Sequence, residues 1–141
     1  MVTFFVSTNV LTQNNAVMVA KWGEFGDKPG QFKYPTMLAT DKEANIYVVD
    51  QHNHRIQKFD SDGKFIAKWG NGRGSADNQF KRPEDITFTS NAIFVTDTGN
   101  NRVLKFDKNF TLITKWGTKG TGDGQFVHPH AIDVDSARLF R

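Results

Sequence analysis

Asp50, Asn53 and Arg55 stand within one short stretch, and Asp97, Asn100 and Arg102 repeat the same spacing 47 residues later. A carboxylate, an amide and a guanidinium so placed can grip a polar ligand. They can equally satisfy one another, since Asx side chains hydrogen-bond their own turn and an arginine just beyond bridges back to the aspartate. Recurrence favours the second reading: a group that returns at a fixed interval belongs to the architecture before it belongs to a site. The other groups suited to proton or metal chemistry are Glu84 and His128-Pro129-His130. With zero cysteines, disulfides, Cys-ligated zinc and thiol catalysis are excluded within this chain.

The interval of 47 residues organises the whole chain. Lys-Trp-Gly occurs at Lys21-Trp22-Gly23, Lys68-Trp69-Gly70 and Lys115-Trp116-Gly117, using all three tryptophans. Gly30-Gln31-Phe32, Asn78-Gln79-Phe80 and Gly124-Gln125-Phe126 follow, each leading to a proline at Pro35, Pro83 or Pro129. Each period then holds four short β-branched or aromatic runs bounded by Gly, Asn, Asp or Pro, which predicts four strands and no long helix. The inner strand is expected at Met37–Thr40, Asp85–Phe88 and Ala131–Val134, and the second at Ile46–Val49 and Ile93–Thr96. The third is expected at Ile56–Phe59 and Val103–Phe106, and the outer at Val17–Trp22, Phe65–Trp69 and Leu112–Trp116. Four antiparallel strands per 40 to 50 residues is the size of one β-propeller blade. The fold class is therefore all-β, about three blades, with Trp22, Trp69 and Trp116 packing between blades as large amphipathic rings do.

Asn53-His54-Arg55-Ile56, preceded by Val48-Val49-Asp50 and followed by Phe59-Asp60, resembles the NHL repeat, as does the opening Gly-Gln-Phe, Pro and short strand. The resemblance spans about residues 16–141 and implies a six-bladed propeller. It implies diverse roles as well: binding of proteins, of single-stranded RNA or of small ligands, and in one branch zinc-dependent amidating-lyase catalysis. His130 matches the Pro-His pattern of that branch, but the other two copies carry Thr36 and Glu84 there, too few ligands for a three-ligand catalytic zinc. The expectation is a non-enzymatic segment without cofactor or metal.

Counted by period, the chain reads as a single partial propeller over 1–141. A degraded partial blade occupies 1–22, full repeats occupy 23–69 and 70–116, and a truncated repeat occupies 117–141. Three blades do not close a ring, so the exposed blade faces call for a homodimer that completes it or for the remaining blades of a longer chain. The apolar runs are strand length, which gives no membrane-inserting segment, and the first residues lack the features of a signal peptide. Localisation is left open.

Function is expected on the long loops 23–34, 70–82 and 117–128, because strand scaffolds carry binding groups on their connections. The glycines there are read as flexible blade crossings. The candidate face comprises Arg55, Arg73, Lys81, Arg82, Arg102, Phe25, Tyr34, Glu84 and His130, with Asp50, Asn53, Asp97 and Asn100 as turn structure. On this face Lys28, Lys33, Arg55, Arg73, Lys81, Arg82, Arg102 and Lys119 stand against Glu24, Asp27, Asp77, Glu84 and Asp123, an excess of three positives. That bias is mild for a chain of net charge +3. A protein partner is the first reading, single-stranded RNA the alternative and an amidating-lyase-like zinc enzyme fragment the second alternative.

Overall fold

The computed structural model describes residues 2–4 and 20–135. Its strands are β1 (Val2–Phe4), β2 (Ala20–Trp22), β3 (Glu24–Phe25), β4 (Gln31–Phe32), β5 (Pro35–Thr40), β6 (Ile46–Asp50), β7 (Arg55–Phe59) and β8 (Phe65–Trp69). They continue with β9 (Asp85–Phe88), β10 (Ile93–Asp97), β11 (Arg102–Phe106) and β12 (Leu112–Trp116). Strands β5 to β8 and β9 to β12 form two four-stranded antiparallel meanders.

Turn chemistry sets where the strands stop. Asp41 Oδ1 accepts the amides of Glu43 and Asn45, Asp60 Oδ1 those of Asp62 and Lys64, and Asp107 Oδ1 those of Asn109 and Thr111. Each aspartate thus satisfies donors that the reversing backbone leaves unpaired. Between the second and third strands a single 3-10 turn (Gln51–Asn53 or Thr98–Asn100) ends in a left-handed residue, His54 or Asn101.

The central strands are buried on both faces, as strands sandwiched between neighbouring sheets must be. The outer strand β8 instead alternates between half-buried and exposed positions. Tyr47, Val49 and Ile56 of one sheet meet Ile93, Val95 and Leu104 of the next. Trp69 closes that seam by stacking on Phe110, with ring centroids 3.8 Å apart and planes at 12°. In the preceding seam Trp22 lies 4.5 Å from Phe59 and 6.0 Å from Phe32. Trp116, with no further sheet over it among the described residues, is 40% exposed and meets only the Phe94 edge.

β1 pairs with β2 in the register Val2↔Trp22, matching Ile56↔Trp69 and Val103↔Trp116 in the complete blades. This places the pair as third and outer strands of a preceding blade. Residues 17–19 of the expected outer strand, and the end of the 117–141 repeat, lie outside the described residues. One expectation is corrected: residues 131–135 form no strand. The Ile132 amide is instead taken by Asp85 Oδ2 of β9 at 2.8 Å, and the second strand expected to follow lies outside the described residues.

Candidate binding face

The three long loops share one conformation. The amides of Gly26, Gly74 and Gly120 bond the carbonyls of Phe32, Phe80 and Phe126, and the amides of Gln31, Gln79 and Gln125 bond those of Lys28, Ala76 and Gly122. Each glutamine side chain turns back inside its own loop, where its Oε1 accepts the amide of Lys28, Ala76 or Gly122. A Cβ on Gly26, Gly74 or Gly120 would come within 2.1, 1.9 or 2.1 Å of that same oxygen. The glycines therefore make room for a packed amide; they are not flexible crossings, and the sequence expectation is corrected on that point.

Two loops are then locked by the turn of the blade they lead into. Arg55 donates through Nε to Asp50, through Nη1 to the Asp27 carbonyl and through Nη2 to the carbonyls of Lys28 and Gln31, at 2.7 to 3.1 Å. Asn53 Nδ2 bonds both Asp50 and the Gly26 carbonyl. Arg102 repeats this with Asp97, Ser75, Ala76 and Gln79, and Asn100 with Asp97 and Gly74. Arg55 and Arg102 are 4% and 7% exposed. Both belong to the turn and not to the binding face, because each guanidinium spends four hydrogen bonds on its turn aspartate and on loop carbonyls. Asp50, Asn53, Asp97 and Asn100 hold the structural role expected of them.

What the loops display differs by sector. Phe25 and Tyr34 are 75% and 66% exposed. Tyr34 lies 4.3 Å from the exposed His52 ring, and Lys33 Nζ is 5.9 Å from the centre of Phe25. In the next sector the equivalent positions are Arg73 and Arg82, both exposed, beside the half-buried Lys81. In the third they are Lys119 and His128. Tyr34, Arg82 and His128 all precede the repeat proline, and all take positive φ, at 53°, 51° and 51°. Such a conformation costs a side chain about 1 to 2 kcal/mol, and its recurrence at one point of three periods makes it part of the repeat's backbone path.

Across the seam between complete blades, the Arg82 amide donates to His54 Nδ1 at 3.0 Å, as His128 donates to Asn101 Oδ1. His54 is thus half-buried and bonded, not simply solvent-facing. Burial, then the charges of Arg73, His52 and Arg82, hold its imidazole below the ordinary range.

At the inner ends of the loops the residues after the three prolines converge. Thr36 Oγ1 donates to the Glu84 carbonyl, Gln51 Nε2 donates to Glu84 Oε1 at 2.9 Å, and His130 Nδ1 meets Glu84 Oε2. Thr36, Glu84 and His130 are the three residues that the sequence sets in register directly after the repeat proline, while Gln51 carried no such signal. Glu84 and His130 supply two potential ligands, and no group of three His, Cys, Asp or Glu suited to a metal occurs among the described residues. That set does not fit a three-ligand zinc.

Meander sheets stacked face to face through tryptophan seams define a β-propeller. Residues 73–139 match the family described as 6-bladed beta-propeller, and residues 32–59 match the NHL repeat. The chain thus carries NHL-repeat sequence in a β-propeller fold. Protein brain tumor of Drosophila melanogaster is 32% identical over 90 residues, which is 64% of this chain and 9% of that protein. The B-box type zinc finger protein ncl-1 of Caenorhabditis elegans is 39% identical over 59 residues, 42% of this chain and 7% of its own length. The chain thus spans less than a tenth of these curated relatives. A streptogramin B lyase structure aligns over 67% of this chain and 34% of its own, with 20% identity and a TM-score of 0.46.

Proposed function

We propose that this chain is a non-catalytic binding scaffold whose loop face recognises a protein partner. The observation that carries the reading is the pairing of Phe25 and Tyr34, exposed, with loops that are internally hydrogen-bonded and locked by buried arginine. Rigid aromatic anchors lose little conformational freedom on binding and dominate protein interfaces. Withdrawal of Arg55 and Arg102 leaves six cations, Lys28, Lys33, Arg73, Lys81, Arg82 and Lys119, against the same five carboxylates. A face so close to neutral suits a mixed protein surface better than a phosphate backbone.

Single-stranded RNA remains the second reading on one specific observation: Tyr34 and His52 offer stacking surfaces, and His52 shares the surroundings of His54 with Arg73 and Arg82. Titrating a pool of single-stranded RNA at two salt concentrations separates the two. Protein recognition predicts no measurable RNA binding at low salt, and a partner whose dissociation quickens when Phe25 or Tyr34 becomes alanine while Lys81→Glu with Arg82→Glu acts mainly on association. Tight RNA binding that falls steeply with salt and is abolished by the double charge reversal would replace the protein reading with the RNA one.

A further inference from the structure

The strand ends opposite the loop face carry a second, independent feature. Between the two complete blades, at the turns 41–45 and 89–92, lies a cavity of about 340 Å³, within the range of small-molecule sites. Asp41, Lys42, Glu43, Tyr47 and Lys58 line it from one blade, and Phe88 and Lys108 from the other, three cations against two carboxylates. Asp41 accepts the Tyr47 hydroxyl at 3.0 Å and the Asn45 side chain at 2.9 Å, besides the turn amides. Lys58 Nζ stands 3.7 Å from Asp41 Oδ2 and 5.2 Å from the Tyr47 ring centre. It is held in place by charge and by the ring, yet makes no hydrogen bond among the described residues, so its N–H donors face the cavity uncommitted.

This arrangement departs from the repeat. In the following blade Lys105 lies 5.5 Å from the Phe94 ring, but Thr89 stands where Asp41 does and the phenol is missing. A carboxylate and a hydroxyl have been added behind one lysine only. Phe88, 4.7 Å from Tyr47, supplies an apolar wall. Lys108 adds an exposed cation at the rim. Burial, then the Asp41 hydrogen bond and charge, push the Tyr47 phenol up, so its hydroxyl remains a donor to Asp41 at any ordinary pH.

We propose that this cavity binds a small organic anion with a flat apolar body, of the aryl carboxylate class, with Lys58 and Lys108 meeting the charge and Phe88 and Tyr47 the ring. Asp41 and Tyr47 act as positioning residues: they fix the Lys58 ammonium without satisfying it, which is preorganisation for an anion.

The test is titration of the full chain with phenylacetate, followed by ligand-observed saturation-transfer NMR and by amide shifts. Phenethylamine, with the same ring and opposite charge, and acetate, with the charge and no ring, serve as comparators. Phenylacetate is expected to saturate, with shifts confined to residues 40–47, Lys58, residues 88–93 and Lys108, and both comparators to bind at least about tenfold more weakly. Lys58→Met should weaken phenylacetate by about tenfold. Should that variant unfold, Lys108→Met, at an exposed position, decides the matter through a loss of severalfold. Phenethylamine binding as well as phenylacetate, shifts outside the cavity, no saturation, or full binding by a folded lysine variant would each overturn the proposal. None of these outcomes bears on the loop face.

Discussion

The two blade seams solve the same packing problem with different residues. In the first, Trp22 covers Phe59 and reaches down to Gly63, where a Cβ would lie 2.5 Å from its Nε1, and the sheet behind carries the wholly buried Gln57. That amide is satisfied by the Gly30 amide and by Gln31 and Asp50. In the second seam Phe110 stands at the position of Gly63 and Leu104 at that of Gln57. Trp69 therefore lies flat on a phenyl ring, and the core of the seam around it is built of hydrophobic side chains. Phe110 takes φ 59° where glycine takes 82°. The repeat tolerates a strained left-handed phenylalanine because the stack it gains, worth about 0.5 to 1.5 kcal/mol beyond its buried area, offsets a strain of about 1 to 2 kcal/mol.

The difference can be broken most forcefully at Trp69. Trp69→Ala should lower the unfolding free energy by about 3 to 5 kcal/mol in urea melts. A loss under about 1 kcal/mol would mean that the stacked seam contributes no more than a surface contact. A gentler change makes one seam imitate the other. Phe110→Gly removes the stack and relieves the left-handed strain, and a net loss of about 2 kcal/mol is expected. Equal stability would show that strain and stacking cancel completely.

The smallest effect concerns the histidine that crosses the second seam. Because the folded state depresses the His54 pKa, the unfolded chain takes up the proton first as pH falls below about 6.5, so stability is full above that pH and declines beneath it until the folded imidazole also protonates. The decline should not exceed about 1 kcal/mol, the worth of one hydrogen bond. His54→Asn adopts the residue that the next blade carries as Asn101, which accepts the equivalent amide. The variant should keep its neutral-pH stability and lose this component of the acid decline in melts between pH 7 and 5. A parallel decline in both proteins would assign it elsewhere.

Most strands of the complete blades were legible within one residue, because alternating apolar runs and turn residues report local preference directly. So was the structural role of the Asp-x-x-Asn-x-Arg group, through its recurrence. That Arg55 and Arg102 are withdrawn from the binding face was not legible, since the carbonyls that consume them lie in loops whose side chains differ and whose shared conformation is written in backbone hydrogen bonds. The same is true of the glycines beside Gln31, Gln79 and Gln125. Spacing shows that small residues are required there, and only packing shows what fills the space. Glu84 and His130 were placed together from their positions after proline, while the Asp41, Tyr47 and Lys58 arrangement was hidden because each residue reads singly as turn or strand.

The arginine clamps also give the chain a direction in time. Arg55 binds carbonyls 24 to 28 residues behind it, and Arg102 reaches back equally far. During synthesis each loop therefore emerges before the side chain that fastens it, and stays unfastened until about half of another blade has left the ribosome. Order arrives from the N-terminal side in steps, each new turn securing the loop already made.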